Sequence, residues 1–116
     1  MEKSNPVLKR TVRKLEEAAR KNGAAVYRDA AESLKKSTRD QPAVNLSKIQ
    51  RNAEEGEKVL VPGKVLGSGR LDKDVEVVSF QASKDAVRAI NEAGEFKRLE
   101  EFVEENPEGE DVKLLK

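Results

Sequence analysis

The segment Val61-Pro62-Gly63-Lys64-Val65-Leu66-Gly67-Ser68-Gly69-Arg70 sets flexible backbone beside cations. Its glycines permit tight turns and the close approach of another group, while Lys64 and Arg70 supply positive charge where phosphates could be met. Two nucleotide chemistries are conceivable for such a loop, and the spacing rejects both. The dinucleotide fingerprint needs a third glycine after Gly67-Ser68-Gly69, but Leu71-Asp72 stands where it should close. A Walker loop needs a Gly-Lys-Ser/Thr ending, and neither Gly63 nor Gly69 begins the required spacing. Two readings remain: a contact for the phosphates of a polymer, with backbone approach at Gly63, Gly67 and Gly69, or simply a pair of tight turns.

The carboxylates offer less. Asp72, Asp74 and Glu76 alternate as in a calcium loop, but Val77 and Ser83 fall where glycine and glutamate are required. Glu100, Glu101, Glu104 and Glu105 could serve acid/base chemistry, yet a glutamate-lined helix reads as a solvated face. The chain has neither cysteine nor histidine. That removes thiolate nucleophiles, disulfides and zinc clusters, together with the usual general base and commonest metal ligand. Much familiar enzyme chemistry is thereby excluded, and no catalytic residue, metal or cofactor is expected.

Charge is the stronger signal. Residues 1–51 hold thirteen Lys and Arg against six Asp and Glu, and residues 52–116 hold ten against sixteen, so a net charge of +1 conceals a strong asymmetry. A polyanion meets the local field of a surface rather than the sum over the chain. The candidate cations for such a contact are Lys3, Lys9, Arg10, Arg13, Lys14 and Arg20 in the first helical stretch. Arg28, Lys35, Lys36, Arg39 and Arg51 follow, joined by Lys64 and Arg70 of the glycine segment. Each has a plainer alternative as a solvated or lightly paired side chain; Lys14, for example, could pair with Glu17. With only Tyr27, Phe80, Phe96 and Phe102 as aromatics, stacking on bases is at most a minor mode of recognition.

These side chains need elements to hold them. Ser4 or Asn5 can cap a helix with Pro6 in its first turn, and Leu8, Thr11, Val12, Leu15, Ala18 and Ala19 recur at helical spacing. Asn22-Gly23 stops it, and Val26, Tyr27, Ala30, Ala31 and Leu34 mark a second helix ending near Lys36. Ser37 to Pro42 reads as a loop, and Leu46 to about Glu54 as a third helix capped by Asn45. Lys58 to Val61 and Lys64 to Leu66 read as short strands split by a Pro62-Gly63 turn that breaks strand pairing. Val75 to Phe80 is a strand apolar on both faces, and a helix with Ala86, Val87, Ala89, Ile90 and Ala93 on its inner side runs to Gly94. Phe96 sits in an extended piece, Leu99 to Glu105 is helical, Pro107-Glu108-Gly109 turns, and Val112 to Leu115 is a last strand.

The expected fold class is therefore α/β: a basic helical region over 1–55, then a small core of strands alternating with helices over 56–116, within one domain. At 116 residues such a chain buries roughly two-thirds of its extended surface. Apolar residues make up 36% and charged residues 39%, against about 25% charged in typical domains, so the core is small and much of the surface must be solvated or paired with charge. No stretch approaches the roughly 20 apolar residues that span a bilayer, and no signal peptide is apparent, so a soluble cytoplasmic protein is expected.

Several stretches together resemble a known family. They are Asn5-Pro6, the Gly23 turn before Ala24-Ala25-Val26-Tyr27, Val44-Asn45-Leu46-Ser47-Lys48-Ile49, the run Val61 to Gly69, Lys73-Asp74-Val75, and Asn106-Pro107-Glu108-Gly109. In this order they look like the archaeal form of large-subunit ribosomal protein eighteen-e, nearly end to end. The resemblance implies kinship with the bacterial fifteen-type ribosomal protein and a fold of irregular strand, strand and helix units. It also implies a non-enzymatic constituent of the large ribosomal subunit that binds and stabilises large-subunit ribosomal RNA by phosphate and shape contacts. The partners expected are that RNA and neighbouring ribosomal proteins, with no membrane, no small-molecule substrate and a monomer outside the ribosome. The alternative is a protein interaction module that uses an acidic C-terminal surface, with RNA contact secondary.

Overall fold

The computed structural model describes residues 6–36 and 43–116. The helix cap at Ser4 or Asn5, the loop from Ser37 to Pro42, Lys3 and Arg39 lie outside the described residues. The elements run α1 (Pro6–Asn22), α2 (Ala25–Lys36), β1 (Ala43–Asn45), α3 (Leu46–Asn52), β2 (Lys58–Leu66), β3 (Glu76–Ala82), α4 (Lys84–Ala93), β4 (Glu95–Arg98), α5 (Leu99–Glu105) and β5 (Val112–Leu114). The fold is α/β, with two basic helices ahead of alternating strands and helices. Gly23, at φ +66°, ends α1 by donating its N–H to the Ala19 carbonyl.

Every strand pairing is parallel. β2 is central: β3 lies along one edge, while β5 and β1 share the other, β5 opposite Lys58 to Leu60 and β1 opposite Lys64 to Leu66. β4 continues the sheet beyond β3. A parallel sheet is covered on both faces; here α3, α4 and α5 follow β1, β3 and β4, while β2 returns to β3 through residues 67–75 without a helix. Alternate side chains of β2 and β3 divide accordingly. Val59, Val61 and Val77 join Leu46, Ile49, Ala86 and Ile90 in one core, against α3 and α4. Leu60 and Val78 join Leu15, Tyr27, Leu34, Leu99 and Phe102 in the other, against α1, α2 and α5. The run from Val75 to Phe80 thus packs on both sides, as its nearly continuous apolarity implies. β1 lies ahead of residue 55 yet pairs with β2, so the sheet draws on both sides of that position.

Two local expectations change. Pro62-Gly63 makes no turn: β2 continues through it as one strand, and between the pairs Val61–Ser79 and Lys64–Gln81 two residues, Pro62 and Gly63, stand opposite Phe80 alone. Proline has no N–H for the ladder, so the pairing absorbs it as a bulge rather than a break. Asn45 occupies the position before α3, but its side chain makes no capping hydrogen bond. The Ser47 N–H instead donates to the Ser68 carbonyl at 3.3 Å, and the helix ends at Asn52 rather than near Glu54. α4 has the side-chain cap that α3 lacks, with Ser83 Oγ accepting from the Ala86 N–H at 3.2 Å.

Candidate nucleic-acid interface

In an all-parallel sheet every strand starts at one end and finishes at the other, and this direction sorts the charges. Acids precede the strands: Glu54, Glu55 and Glu57 before β2, Asp72 and Asp74 before β3, Glu92 before β4, and Glu108, Glu110 and Asp111 before β5. Cations follow or close them: Lys64 and Arg70 at the end of β2, Lys84 after β3, and Arg98 as the last residue of β4. The carboxyl end of a parallel sheet is also where open α/β sheets receive ligands.

The N-terminal helices extend this end. Arg10 pairs with Glu100, and Lys14 with both Glu100 (3.2 Å) and Glu104, so α1 runs alongside α5 in the same direction and begins near the point where β4 ends. α2 returns antiparallel and brings Leu34 and Lys35 back beside Leu8, Lys9 and Val12. Lys9, Arg13 and Lys36 therefore stand at the carboxyl end with Lys64, Arg70, Lys84 and Arg98. All seven are exposed, and none makes an ion pair with another described residue.

Three of the candidate cations make ion pairs within the protein. Arg10 and Lys14 hold α5, and Lys35 bonds Glu16 at 2.8 Å between α2 and α1. The Glu100 carboxyl is held below its ordinary value of 4.5, first by the Arg10 hydrogen bond and also by Lys14. Lys14 does not pair with Glu17, which bonds Lys21 at 3.3 Å one turn on. The solvated glutamate face expected of α5 is likewise revised, since Glu100 and Glu104 meet α1 and Glu105 meets Lys97 at 2.8 Å. Arg20 and Arg28 flank the α1–α2 turn, and Arg51 lies near the end of α3; all three fall toward the opposite end of the sheet. There, other cations serve the fold: Lys73 donates to the carbonyls of Gln50 and Ala53, and Lys113 to that of Asn52, closing the C-terminus of α3.

The glycine segment is folded inward. Gly63 is buried within β2. A Cβ on Gly67 would come within 2.9 Å of Asp85 Cβ at the start of α4. One on Gly69, at φ +99°, would come within 2.7 Å of the Ser47 nitrogen at the start of α3. The space beside Gly67 and Gly69 is thus filled by the starts of α4 and α3, while Lys64 and Arg70 are exposed. Tyr27 and Phe102 are fully buried, the Tyr27 hydroxyl donating to the Asn106 carbonyl, so among the aromatics only Phe80 and Phe96 reach the surface.

Lys84 and Arg98 escaped the sequence reading because they stand in the acidic half of the chain. Their signal was positional: each sits at the junction where a strand hands over to a helix, and the parallel order puts such junctions at one end.

Comparison with known proteins shows the family. Residues 12–94 match a family model of ribosomal proteins whose description names 50S-L15 and 50S-L18e together with a 60S member. The large ribosomal subunit protein eL18 of Haloarcula marismortui is 47% identical over 116 residues, covering 100% of both chains. That of Methanothermobacter thermautotrophicus is 46% identical over 114 residues, covering 97% of this chain and 94% of its own. The eL18 protein of Archaeoglobus fulgidus is 44% identical over 116 residues, covering 99% of each. These are structural proteins of the ribosome and not enzymes. The chain belongs to the ribosomal protein family that unites 50S-L15 and 50S-L18e with their 60S relative.

Proposed function

We propose that this protein, as a constituent of the large ribosomal subunit, binds and stabilises large-subunit ribosomal RNA through phosphate and shape contacts made by the carboxyl end of its sheet. The observation that carries the reading is the set of exposed cations gathered there, Lys9, Arg13, Lys36, Lys64, Arg70, Lys84 and Arg98, on elements fixed by two cores. Rigid placement matters because an RNA helix is recognised by the spacing of its phosphates and its groove shape. Neutralising several phosphates releases counterions, so affinity falls steeply with salt.

Filter binding of the full chain to large-subunit ribosomal RNA over a salt series tests this. The reading expects a steep linear fall of log affinity with log salt; a flat response would overturn it.

A second reading concerns the opposite end. Glu92, Glu95, Glu108, Glu110 and Asp111 are exposed there without ion pairs among the described residues. Such a surface suits a basic neighbouring ribosomal protein and is compatible with RNA at the other end. Replacing Glu108 and Glu110 by Gln is expected to leave RNA affinity unchanged while weakening capture of a basic peptide; equal capture would remove this second reading.

A further inference from the structure

Beside the carboxyl end of β3 lies a groove of about 430 Å³ lined by Val7, Lys64, Phe80, Ala82, Phe96 and Arg98, with Gln81 and Val87 completing it. Its volume falls within the roughly 300–1,000 Å³ usual for small-ligand pockets. Among the described residues no acidic side chain lines it, and both its cations lack ion-pair partners. Phe80 and Phe96 are the two aromatics that are not fully buried, and both border this groove. The sheet is also stepped here. β4 ends at Arg98, opposite Ser79, whereas β3 runs on to Ala82. β2 pairs one edge of that overhang, and no described strand pairs the other, so backbone polar groups of residues 80–82 border the groove.

Aromatic surface, exposed cations and a strand edge together match an unstacked nucleotide: the ring meets a base, the cations meet phosphates, and the strand edge can read the base's polar atoms. We propose that this groove holds one unstacked base of a single-stranded RNA segment at the open edge of β3, bordered by Phe80 on one face of the sheet and Phe96 on the other, with the adjoining phosphates at Lys64 and Arg98. The inference rests on the RNA-binding reading above and adds to it a second mode, beside the phosphate contacts that hold duplex RNA. The positive charge and the lack of acids favour RNA over an added peptide strand.

The test follows the Phe ring signals of the full chain by NMR while adding a short uridine oligomer, a blunt RNA duplex or an acidic peptide of strand-forming sequence. The Phe80 and Phe96 signals are expected to move with the oligomer and not with the duplex. The F80L/F96L variant is expected to lose about tenfold in oligomer affinity with duplex affinity unchanged. Because both rings also pack against the cores, a second variant, K64Q/R98Q, alters only exposed side chains and is expected to weaken the oligomer as well. Unchanged oligomer binding in both variants, or ring shifts caused by the peptide alone, would overturn the groove assignment. Duplex binding that keeps its salt dependence while the oligomer fails removes this inference only; failure of both RNAs removes the reading beneath it too.

Discussion

Tyr27 illustrates how a single side chain is tied to its surroundings. It is fully buried, its hydroxyl donates to the Asn106 carbonyl, and burial pushes its pKa up from 10.0 to about 12. The folded protein keeps this proton to about pH 12, whereas the unfolded chain releases it near pH 10.0. Tyr27's contribution to stability is therefore whole below pH 10.0 and declines as the pH rises toward about 12. Denaturant titrations of wild type and Tyr27→Phe are expected to differ by about 0.5–1.5 kcal/mol at neutral pH, the worth of one hydrogen bond, and the gap should narrow across that alkaline window. At Gly69, φ is +99° and an added Cβ would strike Ser47, so Gly69→Ala is expected to cost at least about 1–3 kcal/mol, read as a lower unfolding midpoint. That glycine was visible in the sequence, but its reason was not: spacing alone cannot tell a loop that admits a phosphate from one that admits the first turn of a neighbouring helix.

Among elements, the α1–α5 contact makes the clearest prediction. Arg10 and Lys14 clasp Glu100 and Glu104, and Glu100 titrates below its ordinary 4.5. A carboxyl whose folded value is lowered gives stability that is present above 4.5 and lost as the pH falls through the folded value. Arg10→Gln with Lys14→Gln is expected to lower the melting temperature at pH 7 and to blunt the acid-induced loss below about pH 4.5, with little change in RNA affinity; a large affinity loss with unchanged melting would reverse the roles assigned here. Deeper in the same layer, Phe102→Ala is expected to cost about 3–5 kcal/mol, because its side chain is wholly buried between α5 and the sheet. Most elements were legible because their patterns are local. Gly94 closes α4, and α5 spans Leu99–Glu105 as its apolar spacing indicates. β1, three residues long, was not, since a single buried Val44 between two exposed neighbours carries no period. The continuity of β2 through Pro62-Gly63 was hidden too, because only the register with β3 reveals a bulge in place of a turn.

At the scale of the whole molecule, the sequence reads as a basic half joined to an acidic half, but the folded charge is arranged otherwise. Parallel strands carry Lys64, Arg70, Lys84 and Arg98 from the acidic half to the end where Lys9, Arg13 and Lys36 stand, and they place Glu54, Glu55, Asp72, Asp74, Glu108 and Glu110 toward the other end. No count along the chain could show this, because it depends on strand direction, which only long-range pairing defines. The identity of the cations was legible; which of them pair within the protein was not, since Arg10, Lys14 and Lys35 differ from Lys9, Arg13 and Lys36 only in what packs against them.

The central claim is that RNA meets the carboxyl end of the sheet. Its most direct test is the salt slope of binding to large-subunit ribosomal RNA for two variants of matched charge, Lys9, Arg13 and Lys64 to Gln at that end and Arg20, Arg28 and Arg51 to Gln at the other. The first is expected to lower the slope by roughly 0.9 for each phosphate no longer neutralised, about 2.7 for three, and the second to leave it near the wild-type value. An equal fall in both variants, or a fall confined to the second, would contradict the account.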